Sequence, residues 1–346
     1  MKTIEIKTDS RISKIVIGER LKRLENYLPD TKIVIITDKN VSRYYKKDFP
    51  PFSVIEIGLG EKNKTIDTLN YIFEKFIESE VDRFSFIVGI GGGIVCDITG
   101  LAASIFMRGL KFGFVSTTLL SQVDASVGGK NGVNFRGYKN MIGTFNQPEF
   151  VICDNELLKT LEEKEFIAGF AEIIKAGAIK DENLISYLEN NYDRALNKDE
   201  EVINKLVYDS ILIKSKVVES DEREKGERRI LNFGHTFAHS FEKLTGILHG
   251  EAVSIGMVLA SRLSVKLNLI QENDFLRIKN LLDNLKLPTT INIETAEIFN
   301  VMKQDKKREG DTLHLVLLQN IGNAIVKQVS LKKLEEIVYD LRSDIR

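Results

Sequence analysis

The chain has no tryptophan, two cysteines, five prolines and four histidines in 346 residues. Each scarcity excludes something. Cys96 and Cys153 lie far apart beside apolar, strand-like runs and form no CxxC, so they read as reduced core thiols of a cytosolic protein. The scattered prolines mark no low-complexity segment, and no internal repeat is visible. A net charge of −1, from 49 basic and 50 acidic residues, supplies no global field for nucleic acid or anionic lipid. Any anion must therefore be held by local basic residues. No apolar stretch reaches membrane-spanning length, and the opening MKTIEIKTDSR lacks the apolar centre of a secretory leader. What remains, 43% hydrophobic and 29% charged, has the balance of a globular protein. Its length points to two domains.

Because histidine is scarce, its clustering is informative. His235, His239 and His249 fall within one run, LNFGHTFAHSFEKLTGILHGEAV. His235 and His239, at i and i+4, share one face if the segment is helical. His249 follows a short link containing Gly246 and opens a second helical stretch. Three such imidazoles could surround a small cation, since catalytic zinc takes three protein ligands and leaves a position open. For the bare i, i+4 spacing, capping or core histidines are the commoner meaning. No glutamate stands between the pair, so HTFAH is not the metalloprotease pattern.

The first half alternates strand and helix. Residues 33–37, 53–57, 84–90, 111–117 and 150–154 read as buried strands, and 65–79 and 94–106 as helices, predicting a parallel sheet covered by helices. From 155 the chain turns to amphipathic helices at 164–179, 181–191, 199–220, 229–244, 250–267 and 272–286. A strand pair joined through Ile321-Gly322 and a final helix follow. The expected domains are 1–154 and 155–346. Three consecutive glycines in VGIGGGIVCD separate strand from helix, where free N–H groups suit a phosphate, although GxGxxG fits in neither register. A simple tight turn is the alternative. Residues 116–145 read as a long functional loop threaded with Asp124, Lys130, Arg136, Lys139 and Asn140. Glu172 and Lys175 stand at i and i+3, the spacing of a surface ion pair.

GGGxxxD, MRG, STTLLSQVDASVGGK, KNMIG, AEIIK, SDERE, LNFGHTFAH and HGEAV occur in this order. In this the chain closely resembles the 3-dehydroquinate synthase family over about residues 30–325. The resemblance implies an N-terminal Rossmann-like parallel-sheet domain that binds NAD and a mostly helical, metal-binding C-terminal domain, as in iron-containing alcohol dehydrogenases. It also implies an active site in the cleft, a homodimer and a cytoplasmic location, with neither nucleic acid nor membrane as partner. Its metal ligands fall on Glu172, His235 and His249, for Zn2+ or Co2+. Its NAD contacts fall on Asp38, Glu61, Lys64, Gly93, Ile94, Val95, Cys96, Asp97, Thr117, Thr118, Lys130, Lys139, Leu157, Leu158, Lys159 and Thr160. Its substrate contacts fall on Asp124, Lys130, Asn140, Lys175, Lys214, Arg228, Asn232 and His239, with Lys306 or Lys307. Arg108 matches an arginine that reaches across the dimer to the substrate phosphate. Cys96 stands where the family usually has glycine.

The implied substrate, 3-deoxy-D-arabino-heptulosonate 7-phosphate, is anionic at both ends. Implied chemistry is transient oxidation at C5 by NAD, phosphate elimination, return of the hydride, ring opening and aldol closure. A polyol dehydrogenase of the same fold would not need so many fixed cations. Related cyclases acting on glucose 6-phosphate or sedoheptulose 7-phosphate, which carry no carboxylate, would not need the carboxylate partners Lys214, Arg228 and Asn232.

Overall fold

The computed structural model describes residues 1–8, 11–303 and 311–341. Lys306 and Lys307 lie outside the described residues. The chain forms two compact units, Met1–Glu162 with Ile203–Arg223, and Glu163–Val202 with Glu224–Arg346. No helix among the described residues is long and apolar enough to cross a membrane.

The first unit holds strands β1 (Lys2–Lys7), β2 (Ile12–Ile17), β3 (Ile33–Asp38), β4 (Ser53–Ile57), β5 (Phe86–Gly91), β6 (Lys111–Ser116), β7 (Lys130–Phe135), β8 (Tyr138–Phe145) and β9 (Phe150–Cys153). Seven form one sheet in the order β1-β2-β9-β6-β5-β3-β4. All its neighbours pair in parallel except β1 with β2. The expected strands at 33, 53, 84, 111 and 150 are all present. In β3, β5, β6 and β9 near-uninterrupted burial explains the apolar text, since a parallel sheet covered on both faces has no polar side; β4, at the edge, buries only Ile55 and Ile57. The β1–β2 hairpin adds an edge that the strand reading lacked. Its first strand buries only alternate residues, Ile4 and Ile6.

Helices α1 (Lys39–Tyr45), α2 (Ile66–Glu78) and α3 (Gly93–Ile105) connect these strands. Thr65 caps α2 by accepting the Thr68 N–H, and Leu69, Ile72 and Phe76 form its buried face. Strand β4 lies on one side of β3 and β5 on the other, so the strand order reverses between β3 and β5. Open α/β sheets place their ligands at the carboxyl ends of strands flanking such a reversal.

The expected long loop at 116–145 is mostly ordered structure. A single π-helical turn covers Ser121–Ala125, and β7 pairs antiparallel with β8. Arg136 and Gly137 form the two-residue hairpin turn, both with positive φ (47° and 81°), as a primed turn requires. The Arg-Gly pair was the available signal, obscured by the glycines and polar residues around it.

The second unit begins with α4 (Glu163–Lys180), α5 (Glu182–Glu189) and α6 (Tyr192–Leu196). Helix α7 (Glu200–Ser220) follows, and from Ile203 it belongs to the first unit. The second unit resumes with α8 (His235–Thr245), α9 (His249–Lys266), α10 (Glu272–Asn284), α11 (Thr295–Met302), the antiparallel pair β10 (Thr312–Asn320) and β11 (Asn323–Ser330), and α12 (Leu331–Asp340). The expected helix over 229–244 is broken. A 3₁₀ turn covers Glu227–Asn232, and α8 starts only at His235, after Gly234 at φ +79°. A side chain at Gly234 would meet the Met257 amide nitrogen at 2.8 Å and the Val253 carbonyl at 3.0 Å, both on α9. Tertiary packing thus sets the break.

Candidate active site

In the second unit, Glu172 sits mid-way along α4, while His235 and His249 are the first residues of α8 and α9. Three glycines bring these helices close enough for the side chains to meet. A Cβ on Gly256 would lie 2.1 Å from the Gly234 carbonyl, pressing α9 off the start of α8. One on Gly250 would lie 2.0 Å from the Ala168 carbonyl, pressing α9 off α4. At these positions only glycine permits the approach.

One ligand atom each from Glu172, His235 and His249 lies within 4.8 Å of the others. The Nε2 atoms of His235 and His249 stand 3.5 and 3.4 Å from Glu172 Oε1. These are ionic contacts, too long for good hydrogen bonds. Lys175 forms an ion pair with the other oxygen, Oε2. The carboxylate is buried, with Lys175 on Oε2 and only the two imidazoles facing Oε1. Lys175 offsets part of the desolvation cost of this buried carboxylate, and a cation between Oε1 and the imidazoles would offset more. The donor set, one carboxylate and two imidazoles, is one that Zn2+ accepts in catalytic sites.

Both imidazoles are oriented. His235 Nδ1 donates to the Phe233 carbonyl at 3.1 Å, and His249 Nδ1 to Glu242 Oε1 at 3.1 Å. Each Nδ1 is thereby engaged, and each Nε2 faces Glu172. Burial alone would lower the His249 pKa, but the Glu172 and Glu242 carboxylates outweigh it and raise it to about 9. His239 stands one turn further along α8, its ring centroid 6.0 Å from that of His235, and is not among the converging three. Sequence reasoning missed Glu242. Its signal was spacing: positions 235, 239 and 242 lie on one helical face. Also in this unit, Arg228 is buried in the 3₁₀ turn, and Asn232 donates to Glu224 at 2.5 Å.

In the first unit, the glycine loop lies at the end of β5, beside the reversal of strand order. Gly93, Ile94 and Val95 open α3, and the first intrahelical bond runs from the Cys96 N–H to the Gly92 carbonyl. The N–H groups of that first turn are thus available to an anion. The glycines do more than admit a ligand. Added Cβ atoms at Gly91, Gly92 and Gly93 would meet Val95, Thr118 and Ala125 at 2.5, 2.9 and 2.8 Å. Cys96 is buried, with its Sγ 3.9 Å from the Gly91 carbonyl. A larger residue than glycine fits there because its side chain enters the core.

Asp38, at the end of β3, flanks the same reversal and caps α1 through the Asn40 and Val41 N–H groups. Burial raises its pKa against those two donors. Lys64 Nζ bonds Asp97 at 2.5 Å and Asn140 Oδ1 at 2.6 Å, joining an expected nucleotide contact to an expected substrate contact. Burial pushes the Asp97 carboxyl up, opposed by Lys64. Asn134 completes this network by donating to Glu61 and accepting from the Asn140 N–H. Thr117 N–H bonds the Gly91 carbonyl, and Thr118 packs over Gly92. Leu157 and Leu158 are buried, so only their backbone can serve a ligand, while Thr160 bonds Tyr45 and Lys159 pairs with Glu156. Lys214 donates to the Asp124 carbonyl and carboxylate at 2.7 and 2.6 Å. Lys130, Lys139 and Arg108 are exposed.

Residues 54–168 match the N-terminal part of 3-dehydroquinate synthase, and 169–308 its C-terminal part. The chain belongs to the 3-dehydroquinate synthase family. It is 41% identical to 3-dehydroquinate synthase of Campylobacter concisus over 349 residues, 98% of each chain. With that of Acetivibrio thermocellus it shares 44% over 306 residues, 85% of each. Among solved structures, it is similar to 2-deoxy-scyllo-inosose synthase complexed with carbaglucose-6-phosphate, NAD+ and Co2+. There the TM-score is 0.87 at 26% identity, covering 98% of this chain and 100% of that one. It is similar also to 2-epi-5-epi-valiolone synthase of Streptomyces hygroscopicus with NAD+ and Zn2+ bound. That match has a TM-score of 0.88 at 26% identity, covering 99% of both chains. The family is one of enzymes, and the parallel-sheet and helical units agree with the expected fold class.

Proposed function

We propose that this chain converts 3-deoxy-D-arabino-heptulosonate 7-phosphate to 3-dehydroquinate and inorganic phosphate in the shikimate pathway. The observation that carries this reading is the convergence of the buried Glu172 carboxylate with the His235 and His249 imidazoles. NAD, and a divalent cation such as Zn2+ or Co2+, are its cofactors. When bound, NAD supplies a transient hydride acceptor, and the cation supplies a Lewis acid that makes a coordinated hydroxyl more acidic.

The residues supply binding, orientation and charge. Glu172, His235 and His249 hold the cation, with Lys175 keeping Oε1 of Glu172 turned towards the imidazoles. The α3 N-terminus accepts the dinucleotide phosphates. Asp38, Glu61, Lys64, Asp97, Thr117, Thr118, Lys139 and the segment from Leu157 to Thr160 complete the nucleotide site. Lys130 and Asn140 serve the substrate phosphate, and Lys214, Arg228 and Asn232 its carboxylate, as charge-assisted hydrogen bonds to oxyanions. Buried cations of this kind suit a dianionic acid better than a neutral polyol: Lys175, Lys214 and Arg228 are 3%, 8% and 1% exposed. The substrate's own phosphate accepts the proton lost in elimination, so the protein mostly orients and screens charge.

The functional assembly is a homodimer in the cytoplasm. Met107, Arg108 and Gly109 have φ of 48°, 69° and 118°, and two of these are not glycine. Such conformations persist only where the surroundings or a function require them. Around that corner Ile105 and Met107 are exposed, and so are Phe135, Met141 and Phe145 on the neighbouring hairpin. Asn146, at the end of β8, bonds Ser104 in the last turn of α3. A second copy covering this face would bury those side chains and receive Arg108 at its phosphate. The two thiols, buried and unpaired, suit a reducing compartment.

Phosphate release from the heptulosonate phosphate tests the reading. Activity is expected with NAD, loss after chelation, and recovery on adding Zn2+ or Co2+. Undiminished turnover in the metal-free protein would contradict it.

A further inference from the structure

We propose that Glu242 is the positioning residue of the metal centre, holding His249 so that Nε2 alone is offered to the cation. This rests on the metal-dependent reading above. Glu242 lies in the last turns of α8 and is 8% exposed, its side chain 4%. Its Oε1 accepts the His249 Nδ1–H at 3.1 Å. A carboxylate can only accept here, so Nδ1 carries the proton and Nε2, 3.4 Å from Glu172 Oε1, carries the ligating lone pair once a cation is present. The two histidines are therefore held differently. His235 leans on the neutral Phe233 carbonyl, whereas His249 leans on a buried anion.

The difference has a chemical consequence. A carboxylate behind an imidazole fixes its tautomer and makes the ligating nitrogen more basic, which a carbonyl does more weakly. His249 needs this more than His235. Its side chain is 32% exposed against 12%, so its surroundings constrain the ring less.

The test is zinc affinity, measured by competition with a chromophoric chelator at fixed pH, for wild type, Glu242→Gln and His249→Ala. Gln is isosteric and keeps an acceptor but not the charge. The proposal expects Glu242→Gln to keep one cooperative apo melting transition, shifted down as the His249 imidazolium loses a partner, and to lose about 10–100-fold in zinc affinity, the usual effect of such a partner. His249→Ala should lose more. Glu242→Gln within twofold of wild type, with His249→Ala strongly weakened, would overturn the role of Glu242 alone. Wild-type affinity in His249→Ala would instead overturn the metal reading itself. One measurement needs no variant: ¹⁵N shifts of the zinc-loaded wild type should show His249 protonated at Nδ1 and metallated at Nε2. Metallation at Nδ1 would refute the proposal even if the Gln variant fails to fold.

Discussion

The raised pKa of His249, about 9 against an ordinary 6.5, ties the metal centre to pH. In the metal-free protein the imidazolium between Glu172 and Glu242 stabilises the fold. That contribution is complete below the unfolded pKa of about 6.5 and fades as pH rises through 9. Loading a cation must displace this proton. Calorimetry of zinc binding in buffers of different ionisation enthalpy should therefore show about one proton released per cation at pH 7.5, and little above pH 9.5. Release that does not change between these pH values would contradict the raised pKa of His249 as the source of that proton. At this scale much was legible. Three clustered histidines in a chain of four announced a site, and family motifs singled out Glu172. Spacing put Glu242 on the helical face of His235 and His239 but could not show it buried, because a glutamate on a helix of mixed polarity is ordinarily a solvated surface residue. Nor could it show that Lys64 joins Asp97 to Asn140, because these three come from distant stretches of chain.

At the scale of elements, the site depends on how closely α4, α8 and α9 approach. Gly256→Ala would place a methyl 2.1 Å from the Gly234 carbonyl, a backbone atom that cannot rotate away. The expected cost is about 1–3 kcal/mol, the range for overpacking, together with weaker zinc binding because His235 and His249 separate. Gly60→Ala, whose added methyl meets nothing within 4 Å, should carry only the strain of its φ of +78° and leave zinc binding unchanged. Thermal melts and zinc titrations of the two variants check this. Equal zinc affinity in Gly256→Ala and wild type would show that the helix approach does not set the ligand geometry. The sheet strands were legible because strands buried on both faces read as unbroken apolar runs. The helix break at Gly234 was not, because its cause lies on α9, some twenty residues away in sequence. The β7–β8 hairpin was concealed for another reason. Most of β8 is exposed, so it lacks the alternation of buried and exposed positions that marks a strand.

At the scale of the whole molecule, the dimer proposal turns on Arg108. A mixed dimer of one Arg108→Ala subunit and one Lys130→Ala subunit should retain about half of wild-type activity if the arginine acts in trans. Both lesions then fall in one of the two sites, and the other stays whole. Near-zero activity would place Arg108 in its own subunit's site. Nothing in composition alone pointed to this assembly. A balanced charge and an ordinary apolar fraction describe most globular proteins, and only motif order along the chain narrowed the function. The central claim is a cyclisation with no net redox change, run on a fold that dehydrogenases also use. Its most direct test follows phosphate, 3-dehydroquinate and NADH together at steady state, with limiting NAD and excess heptulosonate phosphate. The account predicts phosphate and dehydroquinate in equal amounts, many turnovers per NAD and no accumulating NADH. NADH rising in step with product would contradict it.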